Sequence, residues 1–415
     1  MPIKGIDPLI TYPQFIRENA PYLAVGAILA MLSSFGQTFF ISIFGGEIRE
    51  EFGLSNGDWG AIYMVGTAAS AAVMVFAGGL ADVFRVRTLG VAVVVALGLA
   101  CIAMAVNTSA AFVVAVIFLL RFFGQGMSMH MSVVAMSRWF VATRGRALAV
   151  AGMGYMIGEM TLPLVMVWLK SLVDWRILWV CFAIVSFVAA AVLFRMLRLE
   201  RTPKNAAQED KSPGMGGKHW TRSEALRHPL FWLIVPALTS FAGFGTAFWF
   251  HQVHFAEVKG WSHLSLVAIF PLGTATLMAS TILFGWAIDR FGAVRLLPIY
   301  LFPYVLAYII HWYAPSLWWT ALAMILMGMS GGGNATLLNA CWAEFYGTKH
   351  LGAIKAAATA VMVLGSALGP GVSGWLIDAG VGIEIQMLGY AAFFVICAVF
   401  LRVAAGIYAR SAGPA

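Results

Sequence analysis

The chain has 415 residues, of which 61% are hydrophobic and 11% are charged, and its formal net charge is +8. A soluble domain has about a quarter charged residues, so this composition excludes an ordinary soluble protein. The apolar residues form uninterrupted blocks of about 20 residues, the length that crosses a bilayer as a helix, and this predicts a polytopic membrane protein.

Twelve such blocks follow one another along the chain, and we predict one membrane-spanning helix for each. They are residues 21–46, 58–81, 88–107, 111–136, 146–169, 176–197, 229–252, 263–288, 294–312, 317–342, 351–377 and 384–406. The first block lacks the small-residue cleavage site of a signal peptide, so we expect it to be retained. Residues 1–20 are predicted to be a cytoplasmic N-terminal segment with a short helix lying along the membrane interface.

The basic residues predict the orientation. If both termini are cytoplasmic, 21 of the 26 Lys and Arg lie on the cytoplasmic side, as the positive-inside rule requires. These residues are spread over short loops, which argues against a nucleic-acid partner. The four cysteines lie in different blocks without CxxC spacing, so neither a disulfide framework nor a zinc site is indicated, and no cofactor is predicted. We therefore expect a multi-pass protein of a bacterial inner (plasma) membrane, acting as a monomer.

The longest polar stretch, residues 198–228, is predicted to be a cytoplasmic linker between two six-helix bundles, residues 21–197 and 229–406, with residues 407–415 as a cytoplasmic tail. The two bundles share residues at one fixed offset of 207 positions, which indicates an internal duplication. The matching pairs are Gly53 and Gly260, Ser55 and Ser262, Ala61 and Ala268, Gly78 and Gly285, Asp82 and Asp289, Phe84 and Phe291, Gly158 and Gly365, and Pro163 and Pro370. Parallel six-helix repeats are typical of secondary transporters.

Several motifs in these repeats resemble those of the major facilitator superfamily. The segment from Gly285 to Arg295 (GWAIDRFGAVR) fits the loop signature GxxxDRxGxxR, and the segment from Gly78 to Arg87 is a copy in which Val83 and Arg85 replace the Arg and the Gly. The stretch from Arg121 to Gly126 resembles the arginine motif of the fourth helix, and the stretches from Gly158 to Pro163 and from Gly365 to Pro370 resemble the glycine-proline motif of the fifth helix and its repeat.

The resemblance implies an all-α membrane fold of twelve helices, in two six-helix halves with pseudo-twofold symmetry, and a transporter that works by alternating access and is not an enzyme. It also implies that the two loop motifs form gates. The gating residues would be Gly78, Asp82 and Arg87 in the first copy and Gly285, Asp289, Arg290 and Arg295 in the second. The alternative is that these residues cap helices and set the topology.

Arg121 lies about 15 Å deep in the fourth predicted span, where a charge costs at least about 2.5 kcal/mol unless it faces a cavity or a partner. Gln125 and Ser128 share its helix face. We predict that Arg121, Gln125 and Ser128 bind the solute or couple its transport. The alternative is a structural arginine bonded to backbone carbonyls at a helix kink.

Glu159 in the fifth span lies at a similar depth to Arg121, within one helical turn. It is predicted to be the proton-coupling residue, because loss of the arginine contact would favour its protonated form. A static ion pair between the two helices is the alternative. Gln37, Asn334 and Lys355 are further candidates for binding the solute, although Lys355 could instead snorkel to the interface.

Methionines are numerous, and two helices carry MxxxM pairs. Met127, His130 and Met131 in the fourth span and Met156 and Met160 in the fifth could supply soft ligands for Cu(I). The copper-importing branch of the superfamily places such motifs in spans seven and eight, which hold none here. The alternative for these methionines is flexible packing against glycine-rich neighbours.

Charge favours a small organic anion as the solute, because Arg121 and Lys355 are cationic and Glu159 is the one carboxylate expected beside them. The run from Arg138 to Ala149 (RWFVATRGRALA) also resembles the monocarboxylate and oxalate/formate branch. We therefore predict a secondary transporter of a monocarboxylate-like anion, with the proton as coupling ion and the lipid bilayer as its environment. Proton-coupled export of hydrophobic drugs and import of Cu(I) are the alternatives.

Overall fold

The computed structural model describes residues 12–140, 143–199 and 213–411, apart from the side chains of Tyr12, Asp82, Leu199 and Ser411. These ranges are predominantly helical and contain no strand. The long helices are α1 (Tyr12–Leu32), α2 (Asn56–Ala77), α3 (Val86–Val106), α4 (Ala110–Trp139), α5 (Arg144–Leu169), α6 (Trp175–Met196), α7 (Pro229–Phe250), α8 (Phe270–Phe291), α9 (Phe302–Tyr313), α10 (Leu317–Tyr346), α11 (Leu351–Asp378) and α12 (Ile383–Ser411). The predicted all-α architecture is confirmed.

Eleven helical stretches in the described ranges are long and apolar enough to cross a membrane. The ninth predicted span, residues 294–312, is instead divided into a short helix, Ala293–Leu296, and α9. Pro298 lies in the turns between the two, and Pro303 lies in the first turn of α9. Proline has no backbone N–H to donate, so two prolines five residues apart explain why this span is not one helix.

The chain divides into two compact units. The first unit comprises Met1–Phe44 and Val65–Glu209, and the second comprises Gly45–Met64 and Asp210–Ala415. In the first unit α1 packs along α5 and α3 packs along α6, while in the second unit α7 packs along α11 and α8 along α10. The segment that leads into α2 therefore groups with the second unit, although the sequence predicts it as part of the first bundle.

The two chain ends of the first bundle also differ from the prediction in detail. Helix α1 begins at Tyr12, so residues 12–20 continue into the first span without a break, and residues 1–11 lie outside the described residues. Of the predicted linker, residues 200–212 lie outside the description. Its later part forms the helix Arg222–Arg227, which opens with a reciprocal capping box between Thr221 and Glu224.

The duplication has a counterpart in local structure. Gly53 and Gly260, which stand 207 positions apart, both adopt the left-handed conformation, with φ of 63° and 68°. Two residues later, the hydroxyls of Ser55 and Ser262 each accept a hydrogen bond from the backbone N–H three positions further on, at 3.0 Å and 3.1 Å. The same turn and the same N-terminal cap therefore begin the helical segments at corresponding places in the two repeats.

Candidate functional site

The first predicted span is broken near its middle. Helix α1 ends at Leu32, a 3₁₀ turn covers Ser33–Gly36, Gln37 is extended with φ of −85° and ψ of 154°, and helical structure resumes at Thr38–Ile41. The hydroxyl of Ser33 donates to the carbonyl of Ala30 at 2.6 Å, which is a local competitor of the helical ladder. The extended residue interrupts that ladder and makes backbone groups available for other partners.

A second irregular segment lies opposite the break. Residues Arg121–Ser128 of α4 are wound as a π-helix, a rare form that often marks functional sites. The two segments meet at Gly36 and Gly124, where a Cβ on Gly124 would lie 2.6 Å from the Gly36 Cα. Only glycine at both positions allows the backbones of the break and the π-helical segment to come this close.

Arg121 connects these two segments. Its side chain is 1% exposed, and its Nη1 donates to the Gly36 carbonyl at 3.0 Å and lies 3.5 Å from the Thr38 hydroxyl. Buried charge needs this kind of hydrogen bonding, and a carbonyl at a helix break is a suitable acceptor. The bond from Nη1 to the Gly36 carbonyl thus agrees with the alternative prediction for Arg121, a structural arginine bonded to backbone carbonyls at a helix kink.

Glu159 and a tyrosine complete the cluster. The hydroxyl of Tyr155, one turn before Glu159 on α5, donates to the Glu159 Oε1 at 3.3 Å. The same phenol interacts electrostatically with both Glu159 and Arg121. Its ring also meets the ring of Phe39, just after the break, edge to face at 6.0 Å between centroids. The structure therefore gathers Arg121 and Glu159, which the sequence predicts as neighbours, around Tyr155.

The other predicted residues of this region take different positions. Gln37 is the extended residue of the break itself and is half-buried, and Gln125 is a half-buried residue of the π-helical segment. Ser128 is fully buried, and its hydroxyl donates to the Leu29 carbonyl at 2.8 Å. Ser128 thus holds α4 to α1, because a hydroxyl bonded to backbone in a closed contact is engaged in packing the two helices.

The candidates in the second unit lie on α10 and α11. The side-chain oxygen of Asn334 accepts a hydrogen bond from the Tyr300 hydroxyl at 3.4 Å, and Asn334 is half-buried. Lys355 is half-buried and is the fifth residue of α11. Asn334 therefore has a structural partner, while Lys355 lies near a helix end, where a long side chain can reach the interface.

The first loop motif makes contacts within the first unit. The carbonyl of Gly78 lies 3.1 Å from the Nε2 of His130 on α4, and the Arg87 guanidinium stacks over the Phe194 ring at 4.2 Å. The side chain of Asp82 lies outside the described residues. The geometry thus ties this loop to α4 through His130 and to α6 through Arg87.

The second loop motif is organised around a turn after α8. Gly285 precedes the turn, and Gly292 adopts φ of 81°, a conformation that favours glycine. The carboxylate of Glu344 on α10 lies beside the Ala293 backbone, at the start of the next helix. The side chains of Asp289, Arg290 and Arg295 are exposed. A carboxylate from α10 therefore faces the start of the helix that follows Asp289.

The methionines of α4 and α5 are packing residues where the structure shows their neighbours. Met127 is 2% exposed and packs with Ala77 and Val93, and Met131 is fully buried. His130 faces the Gly78 carbonyl, and Met156 and Met160 are half-buried on α5. These contacts match the packing alternative stated for the methionines.

Three residues of these sites are absent from the sequence-based predictions: Thr38, Tyr155 and Glu344. Tyr155 could have been found, because it precedes Glu159 by four residues and so shares its helix face. The contact of Thr38 with Arg121 could not have been found, because it depends on a helix break that leaves the hydropathy of the first span unchanged. The position of Glu344 beside the loop motif could not be predicted either, because it depends on how α10 packs against that loop.

Comparison with known proteins points to one family. The family model described as Major Facilitator Superfamily matches residues 26–370 and 268–413. Two curated relatives, from two strains of Mycobacterium tuberculosis, are each described as "Multidrug resistance protein B homolog" and are 32% identical to this chain over 110 residues. That match covers 26% of this chain and only 20% of each relative, so the chain aligns with about a fifth of their length.

Solved structures share the fold. A bacterial homolog of the human lysosomal transporter Spinster, in an inward-facing and unoccupied conformation, superposes with a TM-score of 0.74 at 18% identity and covers 99% of this chain and 100% of its own. The nucleoside transporter NupG superposes with a TM-score of 0.66 at 14% identity over 95% of this chain and 100% of its own. These likenesses, with the family match, confirm the predicted twelve-helix fold.

Proposed function

Since the chain belongs to the major facilitator superfamily and is a multi-pass membrane transporter, we propose that it moves a small organic anion by alternating access, driven by proton coupling. A monocarboxylate-like solute is the proposed substrate class. The observation that carries the proposal is the cluster of Arg121, Tyr155 and Glu159, which lies where the break after α1 meets the π-helical part of α4.

The cluster supports an anion because of its charge. Arg121 is 1% exposed and carries its positive charge where the break and the π-helical segment meet, with Nη1 3.0 Å from the Gly36 carbonyl and 3.5 Å from the Thr38 hydroxyl. A planar guanidinium is suited to hold a carboxylate with two parallel hydrogen bonds. Irregular backbone within a span is tolerated where it serves a solute or ion, and here two such segments meet at this arginine.

Glu159 supports proton coupling. When Glu159 is ionised, its negative charge competes with an anionic solute for the positive charge of Arg121. When it binds a proton, that competition ends and the anion binds Arg121 more tightly. Binding of the anion and binding of the proton would then favour each other, which is the requirement for moving both in the same direction.

The loop motifs are proposed as gates, at Gly78, Asp82 and Arg87 and at Gly285, Asp289, Arg290 and Arg295. Gln37, Gln125, Asn334 and Lys355 are proposed to contribute to the solute path. The distribution of basic residues supports the proposal that both termini lie in the cytoplasm of a bacterial cell, with the protein in its inner membrane, and we propose a monomer.

The test is uptake of labelled monocarboxylates into proteoliposomes, with and without a pH gradient. We expect uptake that rises when the outside is acidic and that is lost in Arg121→Gln. Arg402→Gln is the matched control, because Arg402 is an exposed arginine of α12. Wild-type uptake in Arg121→Gln, or no carboxylate uptake by the native protein under any gradient, would show that the proposal is wrong.

A second candidate function is export of hydrophobic compounds. It is favoured by the 110-residue similarity to the relatives described as multidrug resistance protein B homologs. Loading proteoliposomes with a fluorescent hydrophobic cation separates the two candidates. Proton-driven movement of the dye without carboxylate uptake would favour export over the anion transporter.

A further inference from the structure

The position of Tyr155 suggests a role beyond packing. Its hydroxyl donates to the Glu159 Oε1 at 3.3 Å, and its phenol also interacts with the charge of Arg121. Its ring contacts Phe39, which follows the break in the first span. The Tyr155 side chain therefore donates to the carboxylate, interacts with the charge of the arginine and packs against the segment that follows the break.

Several ionisable groups lie on the described elements that pack around α5. The segment Thr38–Ile41 (TFFI) carries none, and on α1 Arg17 and Glu18 are exposed near its beginning, with Tyr22 a further turn along. On α4 the ionisable side chains are Arg121, His130 and Arg138. His130 faces the Gly78 carbonyl, and Arg138 lies in the last turn of α4, more than four turns beyond Arg121.

Tyr155 donates a hydrogen bond to Glu159, and the same phenol interacts with the charge of Arg121. Both favour the ionised carboxylate, since one donates a hydrogen bond to it and the other carries the opposite charge. They differ in what happens during transport. An arriving anion pairs with the positive charge of Arg121 and weakens its effect on Glu159. Tyr155 lies four residues before Glu159 on the same helix, so its hydrogen bond to the carboxylate is kept.

Resting on the proposed function, we propose that Tyr155 is a positioning residue that holds Glu159 toward Arg121 and sets the pH at which transport is driven. Tyr155 makes no bond to the solute in this role. It acts through Glu159, by donating a hydrogen bond that opposes protonation of the carboxylate both before and after an anion engages the arginine. Removing the hydroxyl should therefore change the pH dependence of transport and leave the affinity for the solute nearly unchanged.

The experiment is the pH profile of carboxylate uptake in Tyr155→Phe. We expect the half-maximal pH to rise by about one unit, because loss of one donor lets Glu159 bind its proton at higher pH. KM at the optimal pH should stay within about twofold, since a twofold change is well under 1 kcal/mol. Tyr313→Phe is the matched control, because Tyr313 is an exposed tyrosine at the end of α9.

A second variant and a second measurement keep the inference testable. Tyr155→Gln retains an amide donor and should return the profile toward that of the native protein. Infrared titration of the purified protein, with Glu159→Gln to identify the carboxyl band, should show the same upward shift in Tyr155→Phe without requiring transport. A native pH profile and a native infrared titration in Tyr155→Phe would overturn the inference.

The two failures can be told apart. If the native protein takes up no carboxylate, the proposed function is wrong, and the infrared titration still decides whether Tyr155 controls Glu159. If uptake is present and pH-dependent but identical in Tyr155→Phe and Tyr313→Phe, the proposed function stands and the role of Tyr155 is refuted.

Discussion

A close backbone approach at the candidate site gives the sharpest stability prediction. Gly124 faces the break in the first span, and a Cβ there would lie 2.6 Å from the Gly36 Cα and 2.7 Å from the Gly36 nitrogen. Both are backbone atoms, so Gly124→Ala must push the break and the π-helical segment apart. Inserting a methyl group into such a contact costs about 1–3 kcal/mol.

Two other glycines serve as matched controls. Two residues along, a Cβ on Gly126 would lie 3.4 Å from the Met74 Sδ, which is part of a flexible side chain. A Cβ on Gly152 in α5 would meet nothing within 4 Å. Glycine costs about 0.5–1 kcal/mol relative to alanine inside a helix, so Gly126→Ala and Gly152→Ala should be neutral or stabilising.

Thermal unfolding in detergent measures the difference. Gly124→Ala should melt below the native protein, and Gly126→Ala at or above it. We also expect the folded fraction of Gly124→Ala to lose uptake. Arg121 lies one turn before Gly124 in the same segment, so displacing the segment also displaces Arg121. If Gly124→Ala and Gly126→Ala melt at the same temperature, the two backbones are not in the contact described, and the reasoning for the site fails with it.

Two further predictions concern charged groups outside the cluster. The Lys259 side chain is 7% exposed and its Nζ lies 2.5 Å from a carboxylate oxygen of Glu384, so Lys259→Met should lower the melting temperature clearly. The Lys218 side chain, paired with Glu224, is 52% exposed, so Lys218→Met should change the melting temperature little. Burial, and to a lesser extent the charge of Arg49, lowers the pKa of His254 below its usual 6.5. The unfolded chain therefore binds a proton at this histidine more readily than the folded protein does, and the folded protein loses stability as the pH falls below about 6.5. His254→Asn should therefore melt with less acid sensitivity between about pH 7.5 and about pH 5, and an unchanged sensitivity would contradict this.

Much of the fold follows from the sequence because a bilayer imposes one strict requirement. Each crossing must be an apolar run of about 20 residues with its backbone bonded internally, and hydropathy finds such runs. Even the divided ninth span carries its cause in Pro298 and Pro303, which could have been weighed against its apolar character. The equal turns at Gly53 and Gly260 likewise follow from residues that the offset of 207 had already paired.

The irregular segments could not be predicted in the same way. A break at Gln37 and a π-helix at Arg121–Ser128 leave the hydropathy of both spans intact. They arise from a tertiary contact, the approach of Gly36 to Gly124, which two isolated helices would not show. The similar depths of Arg121 and Glu159 are predicted from the rise per residue, and Tyr155 follows from its spacing to Glu159. The contact of Arg121 with Thr38 could not be predicted, because it depends on where the backbone breaks.

The duplicated residues separate what builds the fold from what carries the chemistry. In both repeats the fifth helix meets the first through glycine: Gly158 faces Ser34 in one, and Gly365 faces Thr239 in the other. The two charged residues of the cluster are not duplicated, since Gly328 and Ser366 stand 207 positions after Arg121 and Glu159. A duplicated gene would keep glycine wherever close packing demands it, because any side chain there is penalised by sterics. A buried charge is costly in either repeat and is expected to be retained only where it has a use, so its presence in one repeat alone supports the proposal that the cluster around Arg121 serves transport.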